Sequence, residues 1–181
     1  MDGRRDAELV NAAREGDVDA FAALVERHRE PVLRFAYGIA GNEAEDAVQD
    51  GFVKAYRSLG GFRTDAAFRP WLFTIVANEA RNRRRSWARR NKLALQVSDE
   101  PQPVAATPDD VAAQHEQRQR LLDAVAELPE RYREVVALRY FGGLSENETA
   151  EVLSCPVGTA KSRLSRALGL LRGALGEEGA L

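Results

Sequence analysis

SENETAEVLSCPVGTAKSRLSRALGLL, residues 145–171, holds the strongest local signals in this chain. Ser145 followed by Glu148 has the S-x-x-E pattern of a capping box, in which the two side chains bind backbone N–H groups at a helix start. Cys155-Pro156 ends that helix, because proline lacks an N–H group and fits the start of the next one. The stretch therefore predicts a helix of about eight residues, a turn of about three, and a second, longer helix.

The second of these helices has one apolar and one polar face. The apolar face carries Val157, Ala160, Leu164, Leu168 and Leu171. The polar face carries Thr159, Lys161, Ser162, Arg163, Ser165 and Arg166. This pattern is typical of a helix-turn-helix whose second helix enters the DNA major groove, where Arg and Lys pair with guanine edges or phosphates. An ordinary helical hairpin with a solvated basic face fits the pattern equally well, so this stretch alone leaves both readings open.

Helical periodicity extends upstream in two blocks, and no segment has the period of a strand. In the block from Phe21 to about Arg90 we expect three main helices, with a capping box at Asn42 and Glu45 and with Pro70 in the first turn of the third helix. The second block resumes near Arg118. Between them, residues 91–117 contain Pro101, Pro103, Pro108 and several acids, which predicts an extended acidic linker. The sequence therefore predicts an all-α protein with two small helical domains.

RNRRRSWARR, residues 81–90, has six arginines in a chain whose net charge is −2. These arginines continue a helical stripe that changes from apolar to polar along its length, through Trp71, Ile75, Asn78, Asn82, Arg85 and Arg89. Such a stripe offers an aromatic ring and amides for bases and guanidinium groups for phosphates. A solvated charged face, with Trp71 and Ile75 in the core, is the alternative interpretation.

NEAEDAVQD, residues 42–50, has four acids and no base. Acids in the first turn stabilise a helix N-terminus, which is a sufficient reason for Glu43, Glu45 and Asp46. It does not explain the polar face that continues through Gln49, Asp50, Lys54 and Arg57. A protein partner is the functional interpretation of that face.

Composition narrows the classes of protein. No apolar run approaches the length of a membrane span, and the N-terminus lacks the apolar centre of a signal peptide. The single Cys155, with only His28 and His115 beside it, offers neither a disulfide nor a metal-ligand cluster. We therefore expect a cytoplasmic, non-catalytic protein without a metal or other cofactor and without stable membrane insertion.

Three segments together resemble regions 2 and 4 of the sigma-70 family, in its compact extracytoplasmic-function (ECF) branch. They are EAEDAVQDGFVKAYRSL (43–59), FRPWLFTIVANEARNRRR (68–85) and LPERYREVVALRYFGGLSENETAEVLSCPVGTAKSRLSRAL (128–168). The resemblance implies an RNA polymerase sigma factor that directs the core enzyme to promoters and helps to open them. The implied organisation is an N-terminal segment at 1–17, region 2 at 18–90, a linker at 91–117, region 4 at 118–173 and a tail at 174–181.

The resemblance also implies three sets of site residues. Core polymerase would be bound by Asp46, Gln49, Asp50, Phe52, Lys54 and Arg57, with Phe52 serving mainly for packing. The −10 element would be read and melted by Phe62, Arg63, Thr64, Asp65, Trp71, Asn78, Arg81, Asn82, Arg84 and Arg85. The −35 element would be read by the polar residues of the second helix named above, from Thr159 to Arg166.

The implied partners are promoter DNA, a separate anti-sigma factor, and bacterial core polymerase, through the clamp helices of its largest subunit and the flap of its second-largest subunit. Several positions depart from the family pattern. Ser154 stands where a left-handed glycine is usual, Thr149 and Ala160 replace branched apolar residues, and Gly51 interrupts the docking helix. These departures lead us to expect a loosely packed C-terminal unit.

Two other classes of protein stay open. A stand-alone helix-turn-helix regulator would bind operator DNA as a dimer and would leave the acidic face and the arginine stripe unexplained. A helical adaptor would bind only protein, with both basic patches solvated. An enzyme is the weakest alternative, because no constellation of nucleophile, base and metal can be assembled from this sequence.

Overall fold

The computed structural model describes residues 5–63, 66–94 and 110–176, and these ranges contain helices and short connections with no strand. The prediction of an all-α fold is confirmed. The helices are α1 (Asp6–Arg14), α2 (Val18–Ala40), α3 (Ala44–Ser58), α4 (Phe68–Ala94), α5 (Asp110–Glu127), α6 (Glu130–Val136), α7 (Glu146–Val152) and α8 (Val157–Leu175). Within the described ranges, no helix combines the length and the apolar character needed to cross a membrane.

Helices α1 to α4 form an N-terminal bundle around one apolar core. Each helix contributes buried side chains at three- and four-residue spacings, as an amphipathic helix requires. The fully buried large residues of this core include Leu9, Leu24, Val32, Phe35, Leu72, Phe73 and Val76. Phe35 of α2 and Phe73 of α4 lie 5.4 Å apart between ring centroids, so the two long helices meet at the centre of the bundle.

Gly51 is a position of close approach between α3 and α4. A Cβ atom built on Gly51 would stand 2.6 Å from Cγ2 of Val76, much closer than any real contact of a Cβ. The sequence pattern favours a good helix former here, and the structure gives the reason for the exception. Two helices can pack this closely only where one of them has no side chain.

Helices α5 to α8 form a C-terminal unit with a smaller core of its own. Its buried residues include Val125, Leu128, Val135, Ala167 and Leu171. Arg133 is buried within the unit and donates hydrogen bonds to the carbonyls of Val125 and Leu128, at the end of α5. Burial lowers the pKa of Arg133 to about 10, and the nearby charge of Arg84 acts in the same direction.

The turn between α7 and α8 has the geometry that the sequence predicts. Ser145 caps α7 by accepting a hydrogen bond from the backbone of Glu148, whose side chain accepts from the backbone of Ser145. Ser154 adopts the left-handed conformation with φ of 49° and is the only non-glycine residue in the described ranges to do so. The expected strain at this position is therefore present.

Thr149 is fully buried in α7, and its hydroxyl oxygen has no hydrogen-bond partner. An unpaired buried hydroxyl destabilises the fold, whereas a branched apolar residue of the same shape would not. Ala160 is also buried, at 3% exposure. The family departures at these positions lie in the core.

The two units contact each other directly, which the sequence pattern did not predict. A π-helical turn, Ala137–Phe141, follows α6 and lies against α2, and α7 lies against α4. Ala137, Leu138, Leu144 and Val152 of the C-terminal unit belong to the same buried apolar cluster as the core of the N-terminal bundle. The bundle core therefore continues into the second unit.

The structure adds one helix at the start of the chain and moves the start of another. Residues Asp6–Arg14 form a helix within the N-terminal segment, to which the sequence analysis assigned no secondary structure, and its Leu9 and Val10 are buried against the bundle. The capping box at Asn42 and Glu45 does not form, because a 3₁₀ turn over Gly41–Glu43 moves the N-cap to Glu43. Glu45 instead lies 3.4 Å from the hydroxyl of Tyr37, which donates to it.

The linker predicted at 91–117 is helical at both ends, because α4 continues to Ala94 and α5 begins at Asp110. The beginning of α5 is consistent with its residues Ala112, Ala113 and Gln114, which favour helix. The middle of the predicted linker, residues 95–109, lies outside the described residues.

Replacing Ser154 by glycine is expected to stabilise the protein by about 1 kcal/mol, because glycine adopts a left-handed backbone without steric cost. Chemical denaturation followed by circular dichroism measures the change. The matched control is Ser165→Gly in the exposed middle of α8, where glycine should lower the free energy of unfolding. A loss of stability in both variants would show that the backbone at Ser154 is not strained.

Candidate nucleic-acid interface

The polar face of α8 is an exposed basic surface of the C-terminal unit. Lys161, Ser162, Ser165 and Arg166 are exposed, whereas Thr159 and Arg163 are partly buried. Nζ of Lys161 lies 2.9 Å from a carboxylate oxygen of Glu146 in α7. The opposite face is anchored by Ala160, Ala167 and Leu171, all buried. Of the apolar positions expected there, Val157, Leu164 and Leu168 are only partly buried.

Arg166 also contacts α6. Its side-chain hydrogen bond lowers the pKa of the Tyr132 hydroxyl, and Arg131 acts in the same direction. The guanidinium of Arg131 lies 4.7 Å from the centroid of the Tyr132 ring, in cation–π geometry. The side chains of Arg131, Tyr132 and Arg166 therefore lie together beside the polar face of α8.

An aromatic cluster lies at the start of α4. The ring of Trp71 is 4.8 Å from Phe62 and 5.6 Å from Phe68, measured between centroids. Phe62 and Phe68 are buried, whereas Trp71 is partly exposed at the rim. Arg63 is exposed, and Thr64 and Asp65 lie outside the described residues. A cavity of about 350 Å³ borders the cluster, with Phe62, Phe68 and Arg69 among its lining residues.

Five arginines of α4 fall into two groups with different partners. Arg83 pairs with acids of α3 and with Glu43, and Arg90 pairs with Glu43, which immediately precedes α3. Arg81, Arg84 and Arg85 face the C-terminal unit instead, where Arg81 pairs with Glu134 and Arg85 lies 3.0 Å from Glu130. The arginine run is therefore not one continuous solvated face.

Arg84 donates hydrogen bonds to two backbone carbonyls, those of Ile39 at 3.0 Å and Ala126 at 2.8 Å. Burial lowers the pKa of Arg84, and burial also raises the pKa of the Glu134 carboxyl, although the charge of Arg81 opposes the second shift. In this conformation the guanidinium of Arg84 serves to join α2, α4 and α5.

The two asparagines of the α4 stripe are exposed. Asn78 accepts a hydrogen bond from Arg81 at 2.8 Å, which leaves its amide nitrogen available as a donor. Asn82 lies one turn further along the helix. Ile75 and Trp71 pack partly against the bundle core, as the structural interpretation of this stripe expected.

The acidic face of α3 is organised by Arg83, which the sequence analysis did not single out. Arg83 lies 2.9 Å from Asp46 and 2.7 Å from Asp50, and 3.5 Å from Glu43. The hydrogen bond from Arg83 to Asp50 is the main cause of a raised Arg83 pKa. The signal in the sequence was weak, because residues 33 and 37 positions apart cannot be related by helical periodicity.

The remaining residues expected on the α3 face lie in different environments. Gln49, Lys54 and Arg57 are exposed, and Lys54 lies 2.6 Å from Glu79 of α4. Phe52 is only 8% exposed and supports this face from within the core. Val53, at 43% exposure, adds an apolar patch next to Gln49 and Asp50 that the sequence analysis also missed. The α3 face therefore combines carboxylates that pair with Arg83 with a small apolar centre at Val53.

Within the part of the chain that the structure describes, no group of three or more His, Cys, Asp or Glu residues has the geometry to hold a metal ion. Cys155 is a free, partly buried thiol in the turn before α8. His28 is buried and lies 2.8 Å from Asp6, and burial is the main cause of its lowered pKa.

Comparison with known proteins relates both units to one family. Residues 24–90 match the pattern of sigma-70 region 2, and residues 118–171 match that of sigma-70 region 4. The ECF RNA polymerase sigma-E factor of Haemophilus influenzae is 36% identical over 172 residues, with 90% of each chain covered. The RNA polymerase sigma-H factor of Pseudomonas aeruginosa is 34% identical over 175 residues, again with 90% of each chain covered.

Solved structures give the same relationship. CnrH, in complex with the cytosolic domain of CnrY, superimposes with a TM-score of 0.70 at 31% identity, over 94% of this chain and 96% of that one. The sigma factor RpoE of Bartonella quintana, in complex with the anti-sigma factor NepR, gives 0.65 at 29% identity, over 87% and 98%. With both sigma regions matched in order, the chain belongs to the sigma-70 family of RNA polymerase sigma factors, in its ECF branch.

Proposed function

We propose that this sigma factor binds core RNA polymerase through the α3 face and directs it to promoters that it reads with α4 and α8. The observation that carries the proposal is the separation of charge on the described surface. Carboxylates lie on α3, and exposed basic and amide side chains lie on α4 and α8. Segregated charges suit different partners. The carboxylates suit a basic protein surface, and the basic side chains suit the phosphates of nucleic acid. The proposal assigns the protein no catalytic step.

The docking surface in this proposal consists of Asp46, Gln49, Asp50, Lys54 and Arg57, with Val53 at its centre and Phe52 beneath. The partner is the clamp of the largest polymerase subunit, and the flap of the second-largest subunit would contact the C-terminal unit. Because Arg83 holds Asp46 and Asp50 in fixed positions, these acids need little ordering when the partner binds. A preorganised surface of this kind favours specific assembly.

The −10 element in this proposal is bound at α4 and the loop before it. Trp71 at the rim of the aromatic cluster offers a stacking surface, and the 350 Å³ cavity lined by Phe62 and Phe68 is large enough for a single base. Asn78 and Asn82 offer amides for base edges, and Arg81, Arg84 and Arg85 offer guanidinium groups for phosphates. Arg63, Thr64 and Asp65 belong to the same proposed site by their place in the loop.

The −35 element in this proposal is bound by α8 in the major groove. The capped α7, the left-handed turn at Ser154 and the long α8 form the helix-turn-helix geometry in which the second helix reads base edges. Lys161, Arg163 and Arg166 supply the charge, and Thr159, Ser162 and Ser165 supply hydroxyl groups. The proposed domain organisation follows the family, with region 2 at 18–90 and region 4 at 118–173.

We also propose that a separate anti-sigma factor controls this protein in the cytoplasm. Two structures similar to this chain are of complexes, one of the sigma factor RpoE with the anti-sigma factor NepR and one of CnrH with the cytosolic domain of CnrY. Such a partner would need to cover basic surface on both units to prevent transcription.

Run-off transcription tests the function as a whole. Purified core polymerase and this protein are incubated with a library of random promoter-length DNA, and the transcribed templates are sequenced. We expect two short elements at a fixed spacing, enriched only when both proteins are present. A single palindromic element bound by this protein alone would instead favour a stand-alone regulator. Core binding without any enriched sequence would favour an adaptor.

Reversing the charge at Asp50 is expected to prevent assembly with core polymerase. In Asp50→Arg, a positive charge faces the basic partner surface, and like charges across an interface cost several kcal/mol, so affinity should fall about 100-fold or more. Fluorescence titration of labelled protein with core measures the affinity. Glu26→Arg, at an exposed position of α2, is the matched control. Equal affinities for both variants and the wild type would place the docking surface elsewhere.

Removing the side chain of Arg163 is expected to relax selectivity at one position of the −35 element. A base-edge contact contributes about 1 to 3 kcal/mol of discrimination, so one base preference should weaken about tenfold or more. Sequencing of run-off templates made with Arg163→Ala measures the preference. Arg172→Ala, in the exposed last turn of α8, is the control and should leave every base preference intact. Unchanged preferences in Arg163→Ala would limit this arginine to phosphate or structural contacts.

A further inference from the structure

Two arginines of the C-terminal unit converge on one buried tyrosine. Tyr132, in the first turn of α6, is 8% exposed and belongs to the buried apolar cluster of the unit, with Ala167 and Leu171. The guanidinium of Arg131 lies 4.7 Å from the centroid of the Tyr132 ring. Arg166 of α8 donates a side-chain hydrogen bond to the phenol oxygen, and Arg131 donates another. One tyrosine therefore connects an arginine of α6 to an arginine of α8.

The position of Tyr132 is fixed by the backbone as well as by its packing. Its N–H group donates to the carbonyl of Pro129 at 2.8 Å, which closes the first turn of α6. Because α6 packs on α8, the ring cannot move without disturbing both helices. The phenol oxygen is thus a fixed acceptor, and a guanidinium that it holds loses little side-chain entropy when a ligand binds.

The two guanidinium groups have no carboxylate partner within the described ranges. By contrast, Arg81, Arg83 and Arg85 each pair with an acid. Both Arg131 and Arg166 are exposed. Two positive charges on one acceptor repel each other, so an anion placed between them is stabilised by both. The arrangement therefore has the chemistry of an anion-binding site.

The anion that fits this place is a phosphodiester of DNA. Arg166 follows Ser162 and Arg163 by one turn of α8, so the two arginines extend the polar face that is proposed to read the −35 element. A phosphate offers acceptor oxygens to two guanidinium groups at once, whereas a guanine edge is matched by a single guanidinium. The site is open to solvent, so a duplex already held by α8 supplies a phosphate at high local concentration.

We propose that Arg131 and Arg166 bind one DNA phosphate beside the −35 element, and that Tyr132 is the positioning residue that aligns them. This inference rests on the proposed function, because it takes α8 to be the −35 helix. It adds Arg131 to the promoter contacts and assigns Arg166 to the DNA backbone rather than to base edges. Phosphate contacts fix the register of a recognition helix without selecting bases. The site therefore sets how α8 lies in the groove, and other residues of α8 read the sequence.

Single methylphosphonate substitutions locate the phosphate. Core polymerase carrying this protein is titrated with promoter duplex from the run-off selection, in which one phosphate at a time around the −35 element is replaced by neutral methylphosphonate. One substitution that weakens the wild type should have no further effect in Arg131→Ala or Arg166→Ala, each of which should bind unmodified DNA about tenfold more weakly. The other substitutions should act equally in all three proteins. Full sensitivity of both variants at every phosphate would overturn the proposal.

A shared phosphate also predicts that the two losses are not additive. Arg131→Ala combined with Arg166→Ala should bind hardly more weakly than either single variant, and its slope of log affinity against log salt should fall by about 1. Arg120→Ala, which removes an exposed arginine of α5, is the matched control and should leave the affinity and the phosphate profile unchanged. Additive losses, with a slope that falls by about 2 in the double variant, would indicate two separate contacts and overturn the shared site.

Tyr132→Phe tests the positioning role, because it keeps the ring that packs in the core and removes only the phenol oxygen. Both positive charges remain, yet promoter affinity should fall about threefold, with a smaller effect of methylphosphonate at the same phosphate. The denaturation midpoint and the base preferences should match those of the wild type. A methylphosphonate profile equal to that of the wild type would overturn the role of Tyr132.

Run-off transcription distinguishes a failure of this site from a failure of the proposed function. Transcription by the wild type, with a phosphate profile that neither arginine variant alters, would uphold the promoter function and overturn the phosphate site. Absence of promoter-dependent transcription by the wild type would contradict the promoter function itself. A base preference lost in Arg166→Ala would return this arginine to base reading and overturn its assignment to the backbone.

Two other occupants of the site are tested in the same assay. Weaker binding of Arg131→Ala to core polymerase in the absence of DNA would assign the two arginines to a protein surface. Competition by inorganic pyrophosphate at constant ionic strength, present in the wild type and absent in Arg131→Ala, would indicate a site for a free phosphorylated ligand. Either result would overturn the assignment to DNA.

Discussion

The absent side chain at Gly51 determines how closely α3 lies against α4, and the polar surface of the bundle depends on that distance. With the backbone of α3 against Val76, the carboxylates of Asp46 and Asp50 reach Arg83. Lys54 reaches Glu79 further along the same pair of helices. Moving α3 outward by the width of a methyl group would lengthen all of these contacts together. One close apolar approach therefore holds the acidic face in place.

The ion pair between Arg85 and Glu130 serves orientation more than stability. Arg85 is 63% exposed and Glu130 48% exposed, and pairs in such positions contribute little net free energy because solvent screens them. The free energy that joins the units comes instead from the apolar cluster that includes Leu138, Leu144 and Phe73. The charges decide which face of α4 meets the C-terminal unit, and the apolar side chains decide how strongly.

The sequence predicted those features that depend on neighbouring residues. Ser145 with Glu148, and the strained turn at Ser154, are local patterns, and the structure has both. Asn42 with Glu45 has a similar pattern but fails, because the preceding turn at Gly41 continues as a 3₁₀ helix. A capping motif therefore predicts a helix start only where the residues before it are not themselves helical. The three main helices of the first unit were predicted by their apolar period for the same local reason.

The contacts that the sequence did not predict join residues far apart in the chain. Arg83 and Arg84 are adjacent in a run of three arginines, yet one binds the acids of α3 and the other binds carbonyls of α2 and α5. Composition could not distinguish them, because the difference arises from which helix packs on each side. Gly38 and Gly51 were the available signals, since a glycine inside a helix is costly unless another element lies against it.

The π-helical turn at Ala137–Phe141 makes the length of this segment as important as its composition. Such a turn holds one residue more than an α-helical turn, and here it brings the amide of Gly142 to the carbonyl of Ala137. Deleting a single residue would restore an α-helix and rotate Phe141 by about 100° away from α2. Among descendants of this gene, amino-acid exchange within the turn should therefore be tolerated far more often than insertion or deletion.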